Sequence, residues 1–122
     1  MCSSDLILIV DDRLDVLESL SDVTRRLGHS CDGAGSADDA HRLLASKTYD
    51  TVLIDLEMPA KDGLTLAHEI RAGGGLNSTT MLILISAAEN RTAGLAWPFD
   101  GFLQKPIDCQ ALSRVIGSRN SH

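Results

Sequence analysis

The sequence predicts an α/β fold, a doubly wound parallel sheet with helices on both faces. Three observations predict it. Short unbroken aliphatic runs recur at Leu6–Val10, Val52–Ile54 and Met81–Ile85, and runs of this length read as strands buried on both faces. Segments with apolar residues at helical spacing separate them. Glycine and proline punctuate the junctions. Strands alternating with helices are the pattern of a parallel sheet covered on both sides.

The elements follow in order. Leu6–Val10 is the first strand and stops at Asp11-Asp12. The helix expected from Arg13 to Leu27 places Leu14, Leu17, Leu20, Val23 or Thr24, and Leu27 on one face, with Asp12 available as its N-cap. Gly28 falls where a helix-ending residue belongs. His29–Ala34 is polar and glycine-containing, which suits a short strand near an edge. Ser36, with Asp39 three residues on, reads as an N-cap for a helix over Ala37–Ser46 that turns Ala40, Leu43 and Leu44 inward.

Thr51–Ile54 is the third strand and stops at Asp55. After a loop marked by Pro59 and Gly63, Leu64–Arg71 reads as a short helix with Leu64, Ala67 and Ile70 inside, ended by Gly73-Gly74-Gly75. Met81–Ile85 is the fourth strand, ending at Ser86, and Gly101–Leu103 a brief fifth ending near Lys105-Pro106. Asp108 caps a last helix carrying Leu112, Val115 and Ile116, and Gly117–His122 is a polar tail. The 122 residues are thus read as a single domain with its core over 6–116.

Composition narrows the function. The net charge is −6, which disfavours direct binding to nucleic acid or to an anionic membrane. The apolar runs are far too short to span a bilayer, and no leader-like pattern opens the chain. Cys2, Cys31 and Cys109 form no CxxC pair, so neither a zinc site nor a disulfide framework is expected, and a reducing cytoplasm fits. The four histidines show no ligand spacing on one face.

The chemistry lies at the strand ends. Charged groups are rarely buried without a partner. Asp11, Asp12 and Asp55, at the mouths of two buried strands, therefore call for a cation, and a hard divalent ion takes oxygen ligands. In open α/β sheets ligands bind outside the carboxyl ends of the strands, where the strand order reverses. Asp11, Asp12, Asp55, Ser86 and Lys105 all fall at such ends. A carboxylate can act as nucleophile toward phosphorus, and phosphoryl transfer needs charge neutralisation more than proton transfer. Taken singly, each residue has a plainer reading: Asp11-Asp12 as a cap or turn, Ser86 as a strand-end hydroxyl, Lys105 as a solvated lysine, Phe102 as core.

Taken together, the residues resemble the response-regulator receiver domain of two-component signalling. The resemblance rests on Asp11-Asp12, the run Asp55-Leu56-Glu57-Met58-Pro59-Ala60-Lys61-Asp62-Gly63, Ser86-Ala87 and Lys105-Pro106, in the family's order from Leu6 to Ile116. It implies a flavodoxin-like five-stranded sheet of order 2-1-3-4-5. It implies that Asp55 accepts the phosphoryl group, and that Asp11, Asp12, Asp55 and the backbone carbonyl of Glu57 hold Mg²⁺ or Mn²⁺. Ser86 and Phe102 would be the switch residues, and Lys105 would contact the phosphoryl oxygens. The implied donor is a sensor histidine kinase or phosphotransfer protein, with a kinase or output domain attached in some members. Receivers of hybrid histidine kinases look similar in the Phe102–Ile107 stretch.

The segment from Ala87 to Asp100 is about one helical turn shorter than the family's. Its Gly94 and Pro98 predict a short or irregular fourth helix, with Trp97 and Phe99 either packed over the gap or exposed. Two other functions remain open at this stage. One is a Mg²⁺-dependent aspartyl phosphatase or phosphotransferase with Glu57 as its second acid. The other is a pseudo-receiver used only for binding. The receiver reading makes the chain no enzyme beyond its own phosphorylation and dephosphorylation.

Overall fold

The computed structural model describes residues 6–55, 63–73, 80–86, 99–104 and 110–114. The elements are β1 (Leu6–Val10), α1 (Leu14–Arg26), β2 (Ser30–Ala34), α2 (Ala37–Ser46), β3 (Thr51–Asp55), α3 (Gly63–Ala72), β4 (Met81–Ser86) and β5 (Gly101–Gln104). Residues 110–114 are also helical. The strands form one sheet in the order β2-β1-β3-β4-β5, and every neighbouring pair is parallel. The expected strand order and the edge position of the polar second strand are both found.

The pleat sorts the aliphatic runs between two cores, because successive side chains point to opposite faces. Leu8, Val10, Val52, Ile54, Leu82 and Leu84 join Ala40 and Leu44 of α2 and Leu66, Ala67 and Ile70 of α3. Ile7, Ile9, Leu53, Ile83 and Ile85 join Leu20 of α1 and Leu112. Helices therefore cover both faces. Phe99 is buried in the first of these cores, so it packs rather than forming an exposed patch.

Two expectations for α1 are corrected. Leu14 is 69% exposed, and Val16 packs against the core together with Leu17 and Val23. Leu14 lies in the first turn, beyond the reach of the sheet. The N-cap is Arg13, with no side-chain cap. Asp12 does not cap the helix; the Asp11 carboxylate instead accepts from the Arg13 amide at 3.0 Å. Ser36 caps α2 as expected, accepting from the Asp39 amide at 3.1 Å.

The end of α1 shows why a glycine stands there. The Gly28 amide donates to the Arg25 carbonyl, and the His29 amide to the Thr24 carbonyl. This is a Schellman motif, whose turning residue adopts the left-handed region. Gly28 has φ 93°. A side chain there meets its own backbone rather than a neighbour. Gly28→Ala is expected to lower unfolding stability by about 1–2 kcal/mol, read as a reduced urea midpoint with unchanged slope.

A partly buried polar network fastens the edge strand. Tyr49 is almost fully buried; its hydroxyl donates to the Asp32 carboxylate at 2.7 Å, and Lys47 donates to the same oxygen at 2.9 Å. The Lys47 hydrogen bond, aided by the one from Tyr49, lowers the Asp32 carboxyl below its ordinary 3.8, although burial opposes it. Burial, then the Asp32 hydrogen bond and charge, push the Tyr49 phenol well above its ordinary 10.0. The Asp32 contribution is thus present above about pH 3.8 and lost as pH falls below it. That of Tyr49 is present below about pH 10 and lost as pH rises further. Tyr49→Phe is expected to cost about 1–2 kcal/mol at neutral pH and to flatten the alkaline fall. Urea unfolding measured across pH checks both.

Candidate functional site

Strand register brings the acids together. Val10 pairs with Ile54, so the residues that follow, Asp11 and Asp55, leave adjacent strands side by side. The Asp11 amide still donates to the Ala34 carbonyl at 3.0 Å, which extends β1's pairing with β2 by one residue. The chain passes from β1 outward to β2, then back across to β3. The crevice between the ends of β1 and β3 is therefore where the strand order reverses, the place where ligands bind in such sheets.

One carboxylate oxygen from each of Asp11, Asp12 and Asp55 lies within 4.8 Å of the others. Asp11 and Asp55 are 0% and 3% exposed, while Asp12 faces solvent. At an effective dielectric of about 20, two ionised carboxylates this close repel by about 3 kcal/mol. The Arg13 amide offsets part of this at Asp11. The donor set is all oxygen and rich in charge. It fits a hard divalent cation such as Mg²⁺, which uses one or two carboxylates and keeps several waters, better than a soft metal that seeks sulfur or imidazole.

Other predicted residues stand as follows. Ser86 ends β4 one residue beyond Ile85, the register partner of Asp55. Ser86 in turn pairs with Gln104 in β5. Phe102 lies within β5, paired with Leu84. The side chains of Ser86 and Phe102 are not among those described. Glu57, Lys105, Trp97, the Asp108 cap and the expected fourth helix also lie outside the described residues. What the sequence reading missed is the Arg13 amide as a holder of Asp11. An aspartate that accepts from the backbone amide two residues on is a known local bonding pattern and is legible as such.

A family model described as the response regulator receiver domain matches residues 7–117. The chain belongs to this family. This receiver domain is 32% identical over 118 residues to the transcriptional regulatory protein PmrA of Pectobacterium parmentieri, covering 94% of this chain and 53% of PmrA. It is 32% identical over 111 residues to the sensor histidine kinase RcsC of Salmonella typhi, covering 91% of this chain and 12% of RcsC. The domain thus spans about half the length of the first relative and a small part of the second. Among solved structures it is similar to the response regulator TrrA of Thermotoga maritima, determined in complex with Mg²⁺-BeF. The TM-score is 0.84 and the identity 28%, with 94% of this chain and 98% of that chain covered. Membership in this family places the chain in two-component signalling and favours neither the phosphatase nor the pseudo-receiver alternative. Among the described residues no helix is long and apolar enough to cross a membrane.

Proposed function

We propose that this receiver domain accepts a phosphoryl group on Asp55 from a phosphohistidine of a sensor kinase or phosphotransfer protein, in a reaction dependent on Mg²⁺ or Mn²⁺. The observation that carries the reading is the meeting of Asp11, Asp12 and Asp55 within 4.8 Å at the crevice where strand order reverses. A carboxylate oxygen of Asp55 attacks phosphorus, and the phosphorus–nitrogen bond breaks with its electron pair going to the imidazole. Asp11, Asp12, Asp55 and the Glu57 carbonyl are the residues that would hold the metal. When bound, the cation supplies neutralisation of the charge spread over the phosphoryl oxygens.

The remaining roles are those that the resemblance to the family implies. Lys105 offers an ammonium to the phosphoryl oxygens, and Ser86 a hydroxyl that donates to one of them. The new negative charge then biases a two-state element that includes Ser86 and Phe102. In this reading the domain extends over 1–122, works in the cytoplasm beside its kinase, and turns over no substrate other than its own phosphoryl group. Incubation with Mg²⁺ and a small acyl phosphate, followed by intact mass, tests the reading. One added phosphoryl group is expected; multiple turnover of a phosphate ester would overturn it in favour of an enzyme.

A further inference from the structure

β5 is the outermost strand on the side of the sheet away from β2, and it pairs with β4. It has four residues. A short edge strand holds its register weakly unless its side chains pin it. Leu103 is the buried side chain of β5 among the described residues, and Gly101 has none to offer. Register matters here because β5 runs directly into Lys105, the residue after Gln104. A slip of one residue would carry that lysine about 3.3 Å along the strand and turn it to the other face.

The pin stands just before the strand. The Asp100 amide donates to the Leu82 carbonyl at 2.7 Å, and Asp100 Oδ2 accepts from the Leu82 amide at 2.9 Å. One residue thus takes both backbone groups of Leu82 and extends the β4–β5 pairing one position before Ile83 and Gly101. Arg71, in the last turn of α3, holds this bracket. One guanidinium nitrogen donates to the same Asp100 oxygen at 2.7 Å, and the other terminal nitrogen donates to the Thr80 carbonyl at 2.6 Å. With two partners and a side chain 16% exposed, the guanidinium has little freedom to leave. Thr80 is itself buried and donates its hydroxyl to the Tyr49 carbonyl. The anchorage therefore continues into the segment that leads to β3, the strand of Asp55.

We propose that Asp100 is a positioning residue for phosphoryl transfer: clamped by Arg71, it sets the register of β5 on β4 and so delivers Lys105 to the level of Asp55. The proposal rests on the roles given to Asp55 and Lys105 above. Asp55 pairs with Ile85, and Ile85 with Leu103, so this ladder relates the acceptor to the strand that carries the lysine. A shift between β4 and β5 changes that relation. It leaves Asp11, Asp12 and Asp55 together, because they belong to β1 and β3. Loss of the clamp therefore separates transfer from metal binding.

The test follows phosphoryl uptake from a small acyl phosphate at saturating Mg²⁺ by intact mass, and Mg²⁺ affinity by titration calorimetry. Asp100→Ala is expected to slow uptake about tenfold and to leave the Mg²⁺ Kd within about twofold of wild type. Asp100→Asn keeps an oxygen that accepts from the Leu82 amide and restores uptake to within about threefold of wild type. In a Lys105→Met chain, which lacks the ammonium, Asp100→Ala has no further effect. A clamp that only stabilised the fold would slow both backgrounds alike. Circular dichroism verifies folding. If Asp100→Ala does not fold, Arg71→Gln loosens the clamp, keeps the bracket and enters the same cycle, with an expected slowing of about threefold. Uptake at the wild-type rate in the folded variant, or a slowing undiminished by Lys105→Met, overturns the proposal and leaves Asp55 as the acceptor. A wild-type chain that takes up no phosphoryl group overturns the acceptor reading together with it.

Discussion

Asp55→Asn is expected to abolish phosphoryl uptake. Incubated with Mg²⁺ and an acyl phosphate, the wild-type chain gains the mass of one phosphoryl group and the variant none. The amide has nearly the shape of the carboxylate but is not a nucleophile toward phosphorus. Asp55 is almost fully buried at the end of β3. Asp11→Asn keeps the nucleophile and halves the buried charge available to a cation, and is expected to slow uptake by about 10²-fold or more. Uptake by the Asp55→Asn chain would move the acceptor elsewhere. Equal uptake with and without a chelator would remove the metal from the reaction.

The second large effect concerns stability. Mg²⁺ that binds the folded chain alone stabilises it by RT ln(1 + [L]/Kd), about 2.7 kcal/mol at a hundredfold excess over Kd. This corresponds to a rise of several degrees in Tm. Asp11→Asn is expected to remove most of that response. In metal-free buffer the same variant is expected to melt higher than wild type, because relieving repulsion between two buried carboxylates is worth up to about 3 kcal/mol. Thermal unfolding of both chains with and without Mg²⁺ measures the two effects. A wild-type melt that ignores Mg²⁺, or a variant that keeps the full shift, refutes the assignment of Asp11.

Much of this was legible because the strands are continuous aliphatic runs. A run such as Leu6–Val10 has one plausible environment, and the acids that end it are then located without further information. The first turn of α1 was not legible. Helical spacing places Leu14 beside Leu17, but spacing says nothing of where the sheet stops, and Leu14 is 69% exposed. The Asp32–Lys47–Tyr49 network joins residues up to 17 positions apart through an edge strand whose own composition is nearly featureless. No periodicity announces such a contact. At the site, the acids of β1 and β3 met because parallel register carries the ends of neighbouring strands to the same level, a consequence of the fold rather than of any one motif.

The two rims of the sheet carry acids used in opposite ways. At the amino rim each carboxylate is satisfied locally: Asp50 accepts from the Leu6 amide at 2.8 Å, and Asp100 accepts from the Leu82 amide at 2.9 Å and from Arg71 at 2.7 Å. At the carboxyl rim the acids are crowded against one another. In the language of folding landscapes, the amino rim is minimally frustrated, whereas the carboxyl rim gathers like charges, Asp11 among them held by the Arg13 amide. The firm rim fixes where the strands begin, and a cation or a new covalent group would act among the like charges gathered at the opposite rim.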